Sequence, residues 1–163
     1  MKKIITASVI AACLMLSGCA TDTSSSGNSL NSSAVELSID ERTAKALSEI
    51  AFPEMRKLET ADELYAIVGV NEQSVSEFSV YTCPSGMSPD EFGILVAKDE
   101  ASAADIKAVI ENRIAYQEDT FRNYPLAAEQ VYKLDDYYVG VKGNVVAYAI
   151  CAENTKAADI LMG

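Results

Sequence analysis

The chain has 163 residues, 49% of them hydrophobic and 23% charged, with a formal charge of −11 and no histidine. A field of that sign repels nucleic-acid phosphates and anionic headgroups, so nucleic acid is excluded as a partner and basic residues cannot supply a hold on a membrane. The missing histidine removes the commonest general base, the commonest zinc ligand and the one side chain that ordinarily titrates near neutrality.

Met1-Lys2-Lys3 is a short basic start, and an apolar run follows from Ile4 to Leu16. The run is too short for a bilayer core, which takes about 20 residues, and fits the apolar part of an export signal. It ends in Leu16-Ser17-Gly18-Cys19, which resembles the lipobox of bacterial lipoproteins. Small residues at 17 and 18 admit the signal peptidase, and the Cys19 thiol accepts diacylglycerol. Ile10-Ala11-Ala12-Cys13 satisfies the same pattern. Choosing Cys13, however, leaves about six apolar residues before the box, below the roughly 7–15 of an export signal. The expected organisation is therefore a signal peptide over 1–18, a lipidated Cys19 with a tether through 37, and one domain over 38–163. Loss of Lys2 and Lys3 with the signal takes the side-chain charge from −11 to −13. Two acyl chains suffice for stable anchoring. The stretch from Ala20 to Ala34, rich in Ser, Thr and Asn, reads as a flexible linker with a reach of about 20 Å. The address this implies is the extracytoplasmic face of the cell membrane.

In the domain, Ser38-Ile39-Asp40-Glu41 has the spacing of a capping box, and Ala44, Leu47, Ile50 and Ala51 follow at helical intervals until Pro53. Thr60-Ala61-Asp62-Glu63 repeats the device for a short helix ending at Gly69. From Val75 the period becomes 2, with Phe78, Val80 and Thr82 alternating against Glu77, Ser79 and Tyr81, as in a half-buried strand. After the Cys83–Pro89 loop, Phe92 to Ala97 is apolar on both faces, which predicts an interior strand. Ser88-Pro89-Asp90-Glu91 has the local look of a helix start, but the strand behind it predicts only a turn.

Asp99 or Ser102 caps the longest predicted helix, whose stripe runs through Ile106, Val109, Ile110, Ile114, Phe121 and Tyr124. Tyr132–Val141 and Val145–Cys151 read as strands joined by a tight turn at Lys142-Gly143-Asn144. A short helix is expected from Asn154. The sum is an α+β domain: two N-terminal helices, then ββ-α-ββ, with a four-stranded antiparallel or mixed sheet in the order 1-2-4-3, covered on one face by helices.

The stretch from about Thr60 to Ala152 resembles a family of exported proteins of Gram-positive, Clostridia-like bacteria known as domain of unknown function 4358. The resemblance rests on Leu64-Tyr65…Gly69-Val70, on Asp90-Glu91 opening the second strand, on Phe121…Tyr124 closing the long helix, and on Gly143. It implies an α+β domain of this size behind a lipobox, and brings no activity, cofactor or site.

Cys83 and Cys151 could form a disulfide outside the membrane. In the order 1-2-4-3 their strands are not neighbours, and linked Cα atoms lie within about 7 Å, so two buried thiols are expected. Acids pair at Asp90-Glu91, Glu118-Asp119 and Asp135-Asp136. A glycosidase needs two carboxyls facing one sugar at about 5–9.5 Å, whereas neighbours on a strand face opposite ways. Gly-x-Ser-x-Gly, Ser-x-x-Lys, Gly-rich phosphate loops and EF-hand spacings are absent from the sequence. No catalytic or metal-binding residue and no cofactor is expected. Asp90, Glu91, Tyr137 and Tyr138 are the candidate binding residues, the tyrosines because hairpin aromatics can stack on a sugar or peptide. Cross-strand pairing would place them equally well. The function expected is non-enzymatic binding of an envelope protein or cell-wall ligand. The alternatives are a cell-envelope hydrolase with a carboxylate site and an accessory subunit of an envelope complex.

Overall fold

The structure is a computed structural model that describes residues 36–163; the expected signal, the expected lipobox with Cys19 and most of the expected tether lie outside the described residues. Among the described residues no helix is long and apolar enough to cross a membrane. Ser38 opens α1 (Ile39–Glu49) through the expected capping box. Its hydroxyl accepts the Glu41 amide at 3.2 Å while Glu41 takes the Ser38 amide at 2.8 Å. The same opening at Thr60 starts α2 (Ala61–Val68), but Glu63 reaches one residue further back, to the Glu59 amide at 2.8 Å. Gly69 closes α2 in the left-handed conformation, φ +88°, which a side chain would resist.

Between these helices lies β1 (Arg56–Lys57), a strand too short to leave a periodic signal. The four expected strands are β2 (Val75–Thr82), β3 (Glu91–Ala97), β4 (Tyr138–Lys142) and β5 (Val145–Ile150), with α3 (Glu100–Arg122) between the pairs. All pairings are antiparallel, in the order β1-β2-β3-β5-β4. The expected neighbours of the four strands hold, and the doubly apolar β3 and β5 are interior. The edge expected for β2 is taken by β1, whose two residues are both cations. A short charged strand is a safe edge because it resists pairing with another chain.

The sheet is covered on both faces, not one. Val80, Leu95, Val146, Tyr148 and Ile150 pack beneath α2 and α3. Phe92, Ile94, Ala147 and Ala149 pack beneath α1 and a terminal helix, α5 (Asn154–Met162). Strands apolar on both faces require cover on both; one helical layer would have left Phe92 and Ile94 in water. The alternation expected of β2 is correspondingly altered. Ser79 is buried and its hydroxyl meets that of Thr43 from α1 at 2.8 Å. A register shift between Val75 and Glu77 lets Val75 and Phe78 reach the same core.

The strand expected from Tyr132 begins only at Tyr138. A 3-10 turn over Ala128–Gln130 leads instead into a short helix, α4 (Tyr132–Asp135). Helical spacing serves this segment because Val131 and Leu134, three apart, both enter the α3-side core. Asp135 therefore ends a helix, so the strand geometry assumed for Asp135-Asp136 does not apply. Gly93, between Val80 and Tyr148 in the ladder, lets β2 and β3 approach closely. A Cβ there would lie 2.7 Å from the Ser79 carbonyl and 2.9 Å from Val80 Cα, backbone atoms that cannot step aside.

Candidate functional site

Charged groups enter the interior at the end of the sheet where β3 begins and β5 stops. Glu91, the first residue of β3, is completely buried. Its strand position turns it toward α3, where Arg113 donates through Nε at 2.9 and 3.2 Å and through Nη2 at 2.6 Å. The Tyr148 hydroxyl, from the neighbouring strand, donates to Glu91 Oε1 at 2.9 Å. Burial alone would disfavour the Arg113 charge, but the bonds to Glu91 and its charge more than offset it, and the pKa of the guanidinium is raised.

Asp90, one residue earlier, turns to a different cation. Lys133 of α4 donates to Asp90 Oδ2 at 2.6 Å, and the Ser88 hydroxyl donates to the same oxygen. Lys133 Nζ also lies 3.3 Å from Ser88 Oγ, and that oxygen lies 3.3 Å from Gln130 Oε1. A serine beside a lysine suggests a nucleophile and its base. Here the ammonium is committed to Asp90, so it acts as a donor and leaves the hydroxyl unactivated. Asn154 completes the group by accepting the Cys151 amide at 2.9 Å and donating to the Lys133 carbonyl at 3.3 Å.

The expected binding residues separate in the structure. Asp90 and Glu91 are interior and engaged, not at a surface. Tyr137 is exposed just before β4. Tyr138 faces away from α3, but that face is covered, and it packs into the core beneath α1 and α5. Its hydroxyl lies over Gly140, where a Cβ would come within 1.9 Å of it. Cys83 is half-exposed and Cys151 buried, both as free thiols, so the expectation of two buried thiols holds only for Cys151. β3 runs between their strands, and two spacings of about 4.8 Å put them beyond disulfide reach. Burial pushes the Cys151 thiol pKa up, which makes it a poor nucleophile.

Shallow cavities of about 210, 160 and 100 Å³ open among the described residues. The first of these is lined by Ala61, Asp62, Tyr65, Asn71, Glu72 and Gln73, and none of these touches the charged network. Sequence reasoning missed Arg113, Lys133 and Tyr148. One signal was available for Arg113: it stands three residues after Ile110 and four after Val109, a lone charge beside the apolar stripe.

Tyr148 supplies a pH test of this geometry. Burial, and then the adjacent Glu91 charge, hold its phenol pKa well above the ordinary tyrosine value of about 10. The folded protein thus keeps a proton that the unfolded chain releases, and the stability this supplies is constant below about pH 10 and lost as pH rises past it. Tyr148→Phe is expected to flatten that alkaline decline in a profile of urea midpoint against pH. At neutral pH it should cost about 1–3 kcal/mol for the lost bond to Glu91.

No curated protein and no solved structure matches the chain. A family profile does match, over residues 48–151, a span that takes in Ser88, Asp90, Glu91, Arg113, Lys133 and Tyr148 and leaves most of α1 and all of α5 outside. By that match the chain belongs to the family described as Domain of unknown function (DUF4358).

Proposed function

We propose that the chain is an exported lipoprotein, anchored by diacylglycerol on Cys19 at the extracytoplasmic face of the membrane, whose domain is a non-enzymatic binding module. The observation that carries the second half is the closure of the interior acids. Each of the two is held by its own cation and a hydroxyl, Glu91 by Arg113 and Tyr148, Asp90 by Lys133 and Ser88. Carboxylates so engaged hold the fold together, whereas a hydrolase of the carboxylate type must turn its acids toward a substrate. Binding is left to the surface.

The anchor rests on Leu16-Ser17-Gly18-Cys19 and the apolar run before it. Cells grown with an alkyne-tagged fatty acid should label the wild-type protein and a Cys13→Ser variant equally, and a Cys19→Ser variant not at all. Label surviving in Cys19→Ser, or lost in Cys13→Ser, would overturn the assignment.

A further inference from the structure

We propose that the surface carried by residues 124–137 docks a basic, partly apolar segment of a partner protein, a reading that rests on the binding-module function above. Four large apolar side chains stand out of this one short stretch. Leu126 is 71% and Tyr132 54% exposed, with Tyr124 and Tyr137 also open to water. Met87 is exposed on the loop that Ser88 and Asp90 tie to Gln130 and Lys133 of the same stretch. The Arg122–Asp135 bond draws the end of α3 to the end of α4. The stretch is thereby held in place beneath its exposed side chains.

Charge selects the occupant. The two cations of this region are already engaged, Arg122 by Glu118 and Asp135, and Lys133 by Asp90. Glu129 and Asp136 are exposed, and neither pairs with a cation among the described residues. Tyrosine faces beside unpaired acids suit lysine and arginine, whose charge meets the carboxylates while their stems lie on the rings. A second copy of this chain would bring a formal charge of −11 against its own kind, and an anionic membrane surface would be repelled in the same way.

The test uses the full, lipidated protein in the cells that make it. A photo-crosslinking amino acid replaces Leu126 in one strain and Tyr65, an exposed residue of α2, in another. Captured peptides are sequenced by mass spectrometry. The proposal expects a lysine- or arginine-rich peptide of another protein at position 126. That capture should fall at least tenfold when Glu129→Lys and Asp136→Lys are added, with an unchanged circular-dichroism melt as proof of folding. Capture at 126 of a second copy, of lipid, or of a peptide indifferent to the charge reversal would overturn it. Protein capture at 65 and none at 126 would sink this surface and leave the binding-module reading standing. No protein capture at either position would likewise overturn this surface.

Discussion

Arg113→Ala is expected to lower the free energy of unfolding by about 3–5 kcal/mol, measured by urea denaturation followed by circular dichroism. Its removal leaves Glu91, which is fully buried, with one hydroxyl bond and no counter-charge in a region of low dielectric. Against a typical total of about 5–15 kcal/mol, such a loss threatens the folded state itself. Arg113→Lys should recover only part of it, because an ammonium cannot supply the paired donors of a guanidinium. The triple variant Glu91→Leu/Arg113→Met/Tyr148→Phe should lie near wild type, since apolar groups of similar volume, with no buried phenol left unpaired, need no compensation. A loss below about 1 kcal/mol for Arg113→Ala would place Glu91 in contact with water. An open acid of that kind would return weight to the hydrolase reading, so this stability measurement also bears on function.

Phe92→Ala should cost a similar amount, about 3–5 kcal/mol, for a different reason. Phe92 is the middle ring of three. Phe52 stacks on it with centroids 4.5 Å apart, and Tyr81, its partner across the ladder, lies at 5.2 Å. Truncation removes a fully buried ring and both stacking partners at once. It also opens a cavity between the sheet and the layer formed by α1 and α5. Phe92→Leu, which keeps most of the volume, should cost less than half as much, and thermal midpoints of the two variants should rank accordingly. Equal losses would mean that ring stacking, rather than filled volume, holds this face.

The two variants probe opposite sides of one strand, and the difference in how legible each side was is instructive. Phe92, Ile94 and Leu95 announced an interior strand by being apolar at successive positions, whichever way they point. The same observation required a helical layer on each face, because an apolar face left open costs about 25 cal/mol for every Å² exposed to water. The second layer, α1 with α5, joins the two ends of the domain across more than a hundred residues, and no local pattern records that meeting. The bond from Lys156 to the Glu49 carbonyl is one of its contacts.

The candidate site divides along the same line. Asp90 and Glu91 stood out as a pair opening a strand. Their burial and their partners did not, since Glu91 meets Arg113 from 22 residues away and Asp90 meets Lys133 from 43. Tyr137 and Tyr138 were legible as candidates, but the fold sends the tyrosines of the last segment to different places. Tyr132 stands out on a helix, Tyr137 just before β4, Tyr138 lies in the α1-side core, and Tyr148 binds a buried carboxylate.

What the sequence determined by itself is what short range encodes. Caps at Ser38, Thr60 and Asp99, the glycine end of α2, the turn at Gly143, the long helix and the apolar runs of β3 and β5 all follow from spacings of two to four residues. Hydrogen bonds and side-chain neighbours at that range exist in any context the segment finds. The tertiary structure alone decided which faces are covered, where the two-residue edge strand pairs, and which cation closes which buried acid. Those depend on which elements become neighbours across the sheet, and a buried charge carries no local mark of a partner that only folding brings to it.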